Sequence, residues 1–172
     1  MSKFEELCQA YDEAYQDISN YLEECGKFIG KLVPGIKSYF QCPDGRIEYK
    51  DRNGNKTSLR ESMYLENGFW RVNIGINLSR ENGERRFAVS DSGLYYPSQM
   101  VDFSVLTKRT KTESFIVKIE GCDREFIIST NSQEEVNAFY EFVCSIIREH
   151  YKNMLRYIIE HGKIPQRLGE DV

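Results

Sequence analysis

The sequence contains few of the residues that build catalytic and metal sites. It has 172 residues, of which two are histidines and five are cysteines. The cysteines are scattered and form no CxxC pair: Cys8, Cys25, Cys42, Cys122 and Cys144. Because a disulfide framework or a zinc site needs closer spacing, we predict reduced structural thiols and no bound metal. A reactive or metal-binding cysteine is the alternative.

Motifs of familiar catalytic chemistry are also missing. No GxGxxG, GxxxxGK[ST], GxSxG or HExxH occurs, which leaves dinucleotide binding, P-loop chemistry, serine hydrolysis and zinc proteolysis without support. His150 falls between apolar residues of a predicted helix, where we expect a packing role. His161 lies near the end of that helix, where the helix dipole favours a cation. We therefore predict no catalytic residue and no cofactor. The alternative is an enzyme whose site is assembled from scattered acids and a tyrosine or cysteine.

Long apolar runs and concentrated basic charge are absent as well. No run approaches the roughly 18 apolar residues of a membrane-spanning helix, and the opening residues MSKFEE carry acids that signal and transit peptides avoid. We expect a cytoplasmic protein without a transmembrane segment. Residues 1–33 have seven acids and three bases, and residues 34–130 have fifteen bases and thirteen acids. This distribution lacks the basic stripe of a nucleic-acid-binding protein.

Residues 112–158 carry the strongest structural pattern, a short hairpin followed by a long helix. Phe115, Val117 and Ile119 alternate with Ile116, Lys118 and Glu120, and residues 126–128 form a short apolar run after the turn Gly121-Cys122-Asp123. This pattern predicts an antiparallel hairpin. Ser132 and Glu135 then have the spacing of a capping box. Apolar residues recur at helical spacing as far as Ile158, and Gly162 is expected to end the helix. Such a helix is expected to cover one face of a sheet.

A second amphipathic helix is predicted at the N-terminus. Ser2 and Glu5 have capping-box spacing, and the apolar residues that follow recur in steps of three and four: Phe4, Leu7, Tyr11, Ala14, Ile18, Tyr21, Cys25, Phe28 and Leu32. This helix either packs on its own domain, against the C-terminal helix, or forms a seam with a second chain or a partner. We expect Pro34-Gly35 to end it, with an earlier break at Gly26 as an alternative.

Residues 36–130 predict antiparallel strands joined by short turns. Three Asn-Gly pairs, at 53–54, 67–68 and 82–83, suit type I′ hairpins. Residues 70–78 alternate between apolar and polar, which is typical of a strand with one buried face. Gly75 at its centre predicts a bulge or a bend. Further strands are predicted at residues 46–51, 87–89, 94–96 and 101–106.

These elements predict an α+β fold: a coiled antiparallel β-meander of about seven or eight strands, with a long N-terminal helix and a long C-terminal helix covering the sheet. We divide the chain into a helical arm (1–33), the meander with its C-terminal helix (34–162) and a short, polar, frayed tail (163–172). Over about residues 69–150 the order of elements is similar in outline to the pleckstrin-homology-like half-barrel. The phosphoinositide-binding form of that fold has clustered bases on its first hairpin.

That resemblance directs attention to basic residues near the central hairpins. If the turn at 80–86 and the loop at 107–111 meet at one end of the sheet, they would form a rim for phosphate, a phospholipid headgroup or an acidic protein. The rim would consist of Arg80, Arg85, Arg86, Lys108, Arg109 and Lys111. Glu81 and Glu84 lie among the first three, so a solvated rim with its own counter-charges is the other interpretation.

The leading functional prediction is a non-enzymatic binding module for a protein partner, such as an adaptor, an inhibitor, an immunity protein or a chaperone-like subunit. Aromatic residues contribute more binding energy per residue at such interfaces than most residue types. The candidate contact residues are Phe4, Leu7, Tyr11, Ile18, Tyr21, Tyr95 and Tyr96. A homodimer through the N-terminal helix is one form of this prediction, and an anionic-ligand or phospholipid-headgroup domain is the alternative to it.

Overall fold

The computed structural model describes residues 1–80, 97–165 and 167–169. This part of the chain contains three helices and seven strands. Their order is α1 (Lys3–Tyr39), β1 (Ile47–Lys50), β2 (Lys56–Thr57), α2 (Leu59–Ser62), β3 (Tyr64–Glu66), β4 (Phe69–Asn77), β5 (Met100–Arg109), β6 (Ser114–Ile119), β7 (Glu125–Ser129) and α3 (Gln133–His161). The strands predicted at 87–89 and 94–96 and the Asn82-Gly83 turn lie outside the described residues.

The seven strands form one antiparallel sheet. Hydrogen-bonded neighbours follow the order β2-β1-β4-β5-β6-β7, and β3 pairs with β4 outside this path. One edge of β4 is shared, because β1 pairs with its residues 73–76 and β3 with its residues 69–71. The predicted α+β fold with an antiparallel sheet of about seven strands is confirmed. In the described residues the sheet is open.

Two of the predicted Asn-Gly pairs lie in hairpin turns, but only the second has positive φ at both residues, as type I′ geometry requires. The first joins β1 to β2, and Gly54 in it has φ 81°. The second joins β3 to β4, and both of its residues have positive φ, 51° at Asn67 and 81° at Gly68. A type I′ turn needs positive φ at both central positions, which asparagine and glycine tolerate best.

Gly75 does not form the predicted bulge. β4 pairs with β5 in continuous register from Trp70↔Thr107 to Asn77↔Met100, so no extra residue is inserted. A Cβ atom at Gly75 would lie 2.9 Å from Asp102 Oδ1 and 3.0 Å from Met100 Sδ. The absence of a side chain at Gly75 leaves room for these two side chains, which would have to shift if residue 75 carried a Cβ atom.

The hydrophobic core lies between one sheet face and the two long helices. On β4 and β5 this face is built from paired apolar residues, such as Val72 opposite Val105 and Ile74 opposite Phe103. The largest fully buried side chains come from both helices and the central strands: Phe115, Phe139, Ile29, Ile36, Ile74, Ile76, Ile119, Ile128, Val33, Val72, Val105 and Val117.

Helix α1 continues through the residues that were expected to end it. It is unbroken from Lys3 to Tyr39, with Pro34 inside it, so the stop at Pro34 and the alternative break at Gly26 are both wrong. A proline inside a helix costs about 3 kcal/mol or more. Four apolar side chains around it are at most 2% exposed, and each contributes about 1.5–3 kcal/mol when buried: Ile29, Leu32, Val33 and Ile36. Tertiary packing therefore outweighs the proline penalty.

The second half of α1 packs closely on α3. The hydroxyl of Tyr140 donates a 2.7 Å hydrogen bond to the carbonyl oxygen of Leu32. A Cβ atom at Gly35 would overlap that hydroxyl. Phe28 stacks on Phe115 of β6 with ring centroids 3.9 Å apart. Gly35 thus permits a close helix–helix contact, which is a different role from the helix stop expected of it.

Helix α3 begins and ends where the sequence predicts. Ser132 Oγ accepts a hydrogen bond from Glu135 N at 3.3 Å, and Gly162 takes the left-handed conformation with φ 69°. The carboxylate of Glu135 accepts a hydrogen bond from Ser129 N at 3.4 Å. The start of α3 is thereby tied to the end of β7.

The described part of the C-terminal tail packs against the sheet. Leu168 is 4% exposed and belongs to the hydrophobic core. A Cβ atom at Gly169 would lie 3.0 Å from Gly121 O, so the tail passes close to the β6–β7 turn. The prediction of a frayed end is therefore wrong for residues 167–169. One leucine in a polar segment has no periodicity that could have predicted this contact.

Candidate functional site

The first half of α1 projects from the rest of the molecule. Residues 1–18 are all exposed, and Cys25 is the first buried residue of the helix. We call residues 3–22 the arm. At 1.5 Å per residue the arm is about 30 Å long.

An apolar stripe along the arm faces solvent. Its large side chains are 47% to 74% exposed and lie on one helix face: Phe4, Leu7, Tyr11, Tyr15, Ile18 and Leu22. Beyond Cys25 the same helix face is buried in the core, so the stripe is an outward continuation of the core surface. Contiguous exposed apolar surfaces of this kind are often interaction sites.

Local interactions support the helix over the exposed residues 3–18 of the arm. The capping box between Ser2 and Glu5 is complete. Gln9 Nε2 donates to Glu13 Oε1 at 2.8 Å, and Gln16 Nε2 donates to an Asn20 side-chain oxygen at 2.9 Å. Each such i,i+4 pair contributes about 0.2–0.5 kcal/mol, and the buried half of α1 removes the cost of helix nucleation.

The base of the arm is fixed against one end of the sheet. Glu24 forms an ion pair with Arg109 of β5, with Oε2 and Nε 3.0 Å apart. Tyr21 packs on the core beside Trp70, and burial raises the pKa of its hydroxyl. Burial also raises the pKa of the Cys25 thiol. These contacts set the direction in which the arm leaves the sheet.

The predicted contact residues divide between the arm and its base. Phe4, Leu7, Tyr11 and Ile18 lie exposed on the stripe. Tyr21 is partly buried at the base and anchors the arm. Tyr95 and Tyr96 lie outside the described residues.

Tyr15 and Leu22 are stripe residues that the sequence analysis missed. Each follows a predicted stripe residue by four positions, Tyr11 and Ile18 respectively. They widen a two-position heptad seam into the broader apolar face typical of helices that pack on a surface. The available signal was therefore the third apolar position of each heptad.

Arg80, the described member of the predicted 80–86 turn, lies far from the 107–111 loop. Arg80 follows the end of β4, near the hydrogen bond from Leu78 N to Gln99 O. Lys108 lies at the other end of β5, about nine strand residues or roughly 30 Å from Gln99. Lys111 lies just beyond that end, in the turn before β6. The condition for a common rim is therefore not met by the described residues; Arg85 and Arg86 lie outside them.

The bases near the base of the arm already have neighbours. Because side chains alternate along a strand, Lys108 and Arg109 point to opposite faces of β5. Arg109 pairs with Glu24 on the helix side. On the other face Lys108 Nζ lies 5.6 Å, and Lys118 Nζ 4.7 Å, from the ring centroid of Phe69. Lys108 and Arg109, the two predicted rim residues on β5, therefore do not face a common ligand.

The sheet face opposite the helices carries a balanced network of ion pairs. Arg71 pairs with Glu66 at 2.8 Å and with Glu120. Lys50 pairs with Asp102 at 2.6 Å. Burial alone would lower the pKa of Arg71, but the two glutamates raise it above its usual value. A concave pocket of about 550 Å³ is lined by Lys50, Arg71, Asp102 and Glu120. Carboxylates match both of these cations, as in structural ion pairs.

The residues that the structure describes contain no cluster of metal ligands and no membrane-spanning helix. Among them no three histidine, cysteine, aspartate or glutamate side chains come together as metal ligands. None of the helices in this part of the chain combines the length and the apolar character needed to cross a bilayer.

No protein-family model, curated protein or solved structure matches the chain with significant similarity. The similarity in outline to the pleckstrin-homology-like half-barrel therefore stays a prediction. The function is therefore inferred from the geometry of this chain alone.

Proposed function

We propose that the protein is a non-enzymatic, cytoplasmic binding module whose arm docks a protein partner. The observation that supports this proposal is the exposed apolar stripe on a helix that local interactions and an anchored base hold in place. Roles as an adaptor, an inhibitor, an immunity protein or a chaperone-like subunit would all use such a surface.

The size of the stripe fits a docking surface. Phe4, Tyr11 and Tyr15 are about two-thirds exposed, and an aromatic side chain offers about 150–250 Å², so these three present roughly 300–500 Å². Leu7, Ile18 and Leu22 add to this area. The largest apolar patch on an ordinary monomer is about 300–600 Å² and is often functional, and a standard interface buries about 800 Å² per partner.

The alternative, an anionic-ligand or phospholipid-headgroup domain, has less support. Arg109 is paired with Glu24, and Arg80 lies at the opposite end of the sheet from Lys108. An electrostatic site needs cations that converge on one ligand. The described bases are instead dispersed or neutralised.

The proposal is tested with a double substitution in the stripe of the full chain, L7E/I18E. The matched control is L155E/I159E, because Leu155 and Ile159 on α3 are 68% and 75% exposed. Both variants replace two exposed aliphatic side chains with two acids, and circular dichroism would verify that both remain folded. We expect quantitative affinity purification from the source cells to recover a partner with the wild type and the control but not with L7E/I18E. Equal recovery with both variants would contradict the proposal.

A further inference from the structure

We infer that the partner presents a basic amphipathic helix, which packs along the stripe with lysine or arginine side chains on both sides of it. This inference rests on the proposed function and adds the charge and the secondary structure of the partner. It follows from the charges on the arm, from their position around the stripe and from the shape of the stripe.

The arm is strongly acidic. Residues 3–22 contain five acids and one base, a net charge of −4. The single base, Lys3, is already paired with Glu6 at 3.0 Å. The arm therefore has no free cation to offer a partner, and complementary charge has to come from the partner.

Two of the acids border the stripe on opposite sides. At 100° per residue, Asp12 lies about 100° from the centre of the stripe in one direction and Asp17 about 120° in the other. Neither carboxylate has a hydrogen bond or an ion pair with any residue that the structure describes, whereas Glu13 accepts from Gln9. A helix lying on the stripe would bring its own flanking side chains next to Asp12 and Asp17, as the e and g positions of a coiled coil do.

The shape of the stripe favours a helix as its occupant. The stripe is straight, about 30 Å long, and its residues recur every three or four positions. The same face of α1, further along, packs on α3 within the molecule. Helices fit such a face because their side-chain ridges have the spacing of its grooves.

A second copy of this chain fits the stripe less well. Two paired arms would contain ten acids and two bases, a net charge of −8. Each arm offers only Lys3, near its tip and paired with Glu6, to the five acids of the other arm. Like charges brought together at an interface are unfavourable. Self-association is therefore an alternative outcome of the test.

The test uses three fluorescent peptides and the full chain. Two are three-heptad designs with leucine at a and d, one with lysine and one with glutamate at e and g. The third is the peptide of residues 1–24, which represents a second copy of the arm. In anisotropy titrations we expect the lysine peptide to bind about tenfold or more tightly than the glutamate peptide, and this preference to shrink as salt is added. We expect no binding of the peptide 1–24.

Two matched charge reversals locate the contact. Asp17→Lys and Glu13→Lys each change the net charge by +2, but Glu13 lies about 160° from the centre of the stripe. Asp17→Lys should weaken binding of the lysine peptide about fivefold more than Glu13→Lys does, because only Asp17 borders the stripe. L7E/I18E should abolish the binding of this peptide.

Several results would overturn the inference. Equal affinity for the lysine and glutamate peptides, or no binding of either, would exclude a basic helix as the preferred occupant. Binding of the peptide 1–24, together with a dimer of the full chain in sedimentation velocity that L7E/I18E dissociates, would assign the stripe to a second copy. Those results leave the stripe as a candidate docking surface. The proposed function fails separately, if recovery of the cellular partner is unaffected by L7E/I18E.

Discussion

At the scale of residues, the contact between Tyr140 and α1 joins the two long helices. The hydroxyl of Tyr140 is buried and bonded to Leu32 O, and Gly35 leaves room for it. Tyr140→Phe removes the buried donor of this hydrogen bond, while Leu32 O stays an acceptor within helix α1. We therefore expect the free energy of unfolding to fall by about 0.5–1.5 kcal/mol. The control is Tyr39→Phe, because the Tyr39 hydroxyl bonds to Glu141 at the surface. Urea denaturation measures both, and equal losses would contradict the assignment.

Substitution of Gly35 tests the same contact from the side of α1. Gly35→Ala places a methyl group where the Tyr140 hydroxyl lies, so we expect a loss of about 1–3 kcal/mol from overpacking. The double variant Gly35→Ala with Tyr140→Phe should lose less than the sum of the single losses, because the second change removes the overlapping oxygen. Strict additivity would show that the two residues do not share this space.

The pH dependence of stability is a further prediction at this scale. Burial raises the pKa of the Tyr140 hydroxyl from its usual 10.0 to about 12. Between these values the unfolded chain loses the proton while the folded chain keeps it, so stability is retained below pH 10 and falls as the pH rises toward 12. The decline should be smaller in Tyr140→Phe than in the wild type. Chemical denaturation at a series of pH values across that interval measures it.

At the scale of elements, α1 combines a buried half and an exposed half in one helix. A chain that begins at Asn20 keeps every core residue of α1, and Asn20 and Glu23 can cap the new end. We expect its unfolding free energy to stay within about 1 kcal/mol of the full chain. A chain that begins at Pro34 lacks the core residues Cys25, Phe28, Ile29, Leu32 and Val33, and it should not fold. Thermal unfolding followed by circular dichroism distinguishes the two truncations.

The sequence predicts such elements well where the signal is local. The cap at Ser132, the stop at Gly162 and the turn at Asn67-Gly68 follow from backbone chemistry within a few residues. Pro34 is a local signal as well, but it misled the prediction because the burial of its distant contacts has the larger free energy. The heptad pattern predicts an apolar face on α1. It cannot predict that only the half beyond Cys25 is covered, since the covering residues are remote in sequence.

At the scale of the whole molecule, the projecting arm should be visible in solution scattering. A compact chain of 172 residues has a radius of gyration of about 16 Å. We expect a larger value for the full chain in small-angle X-ray scattering, because the arm adds about 30 Å of helix beyond the core. Starting the chain at Asn20 should reduce the maximum dimension by roughly 25–30 Å. A compact value for the full chain would show that the arm folds back on the body.

The arrangement of strands is the part of the whole molecule that the sequence predicts least. Alternation and turns indicate which segments are strands, but β1 pairs with β4 across α2 and β3. Pairing of this kind depends on which edges remain free after collapse, a property of the assembled sheet. The candidate site, in contrast, could be predicted because it depends on a local pattern. Phe4, Leu7, Tyr11 and Ile18 belong to one uninterrupted periodic pattern.

The unbroken course of α1 has a mechanical consequence. A helix joined to the core by a flexible loop would reorient freely, and a partner bound to it would tumble independently of the sheet. Here the helix continues past Glu24 and its ion pair with Arg109 into the core at Ile29 and Ile36. The arm is therefore a rigid extension of the core, and a partner bound to it would keep a fixed orientation toward the sheet. A force applied to the bound partner would be transmitted along the helix axis to the hydrophobic core between the helices and the sheet.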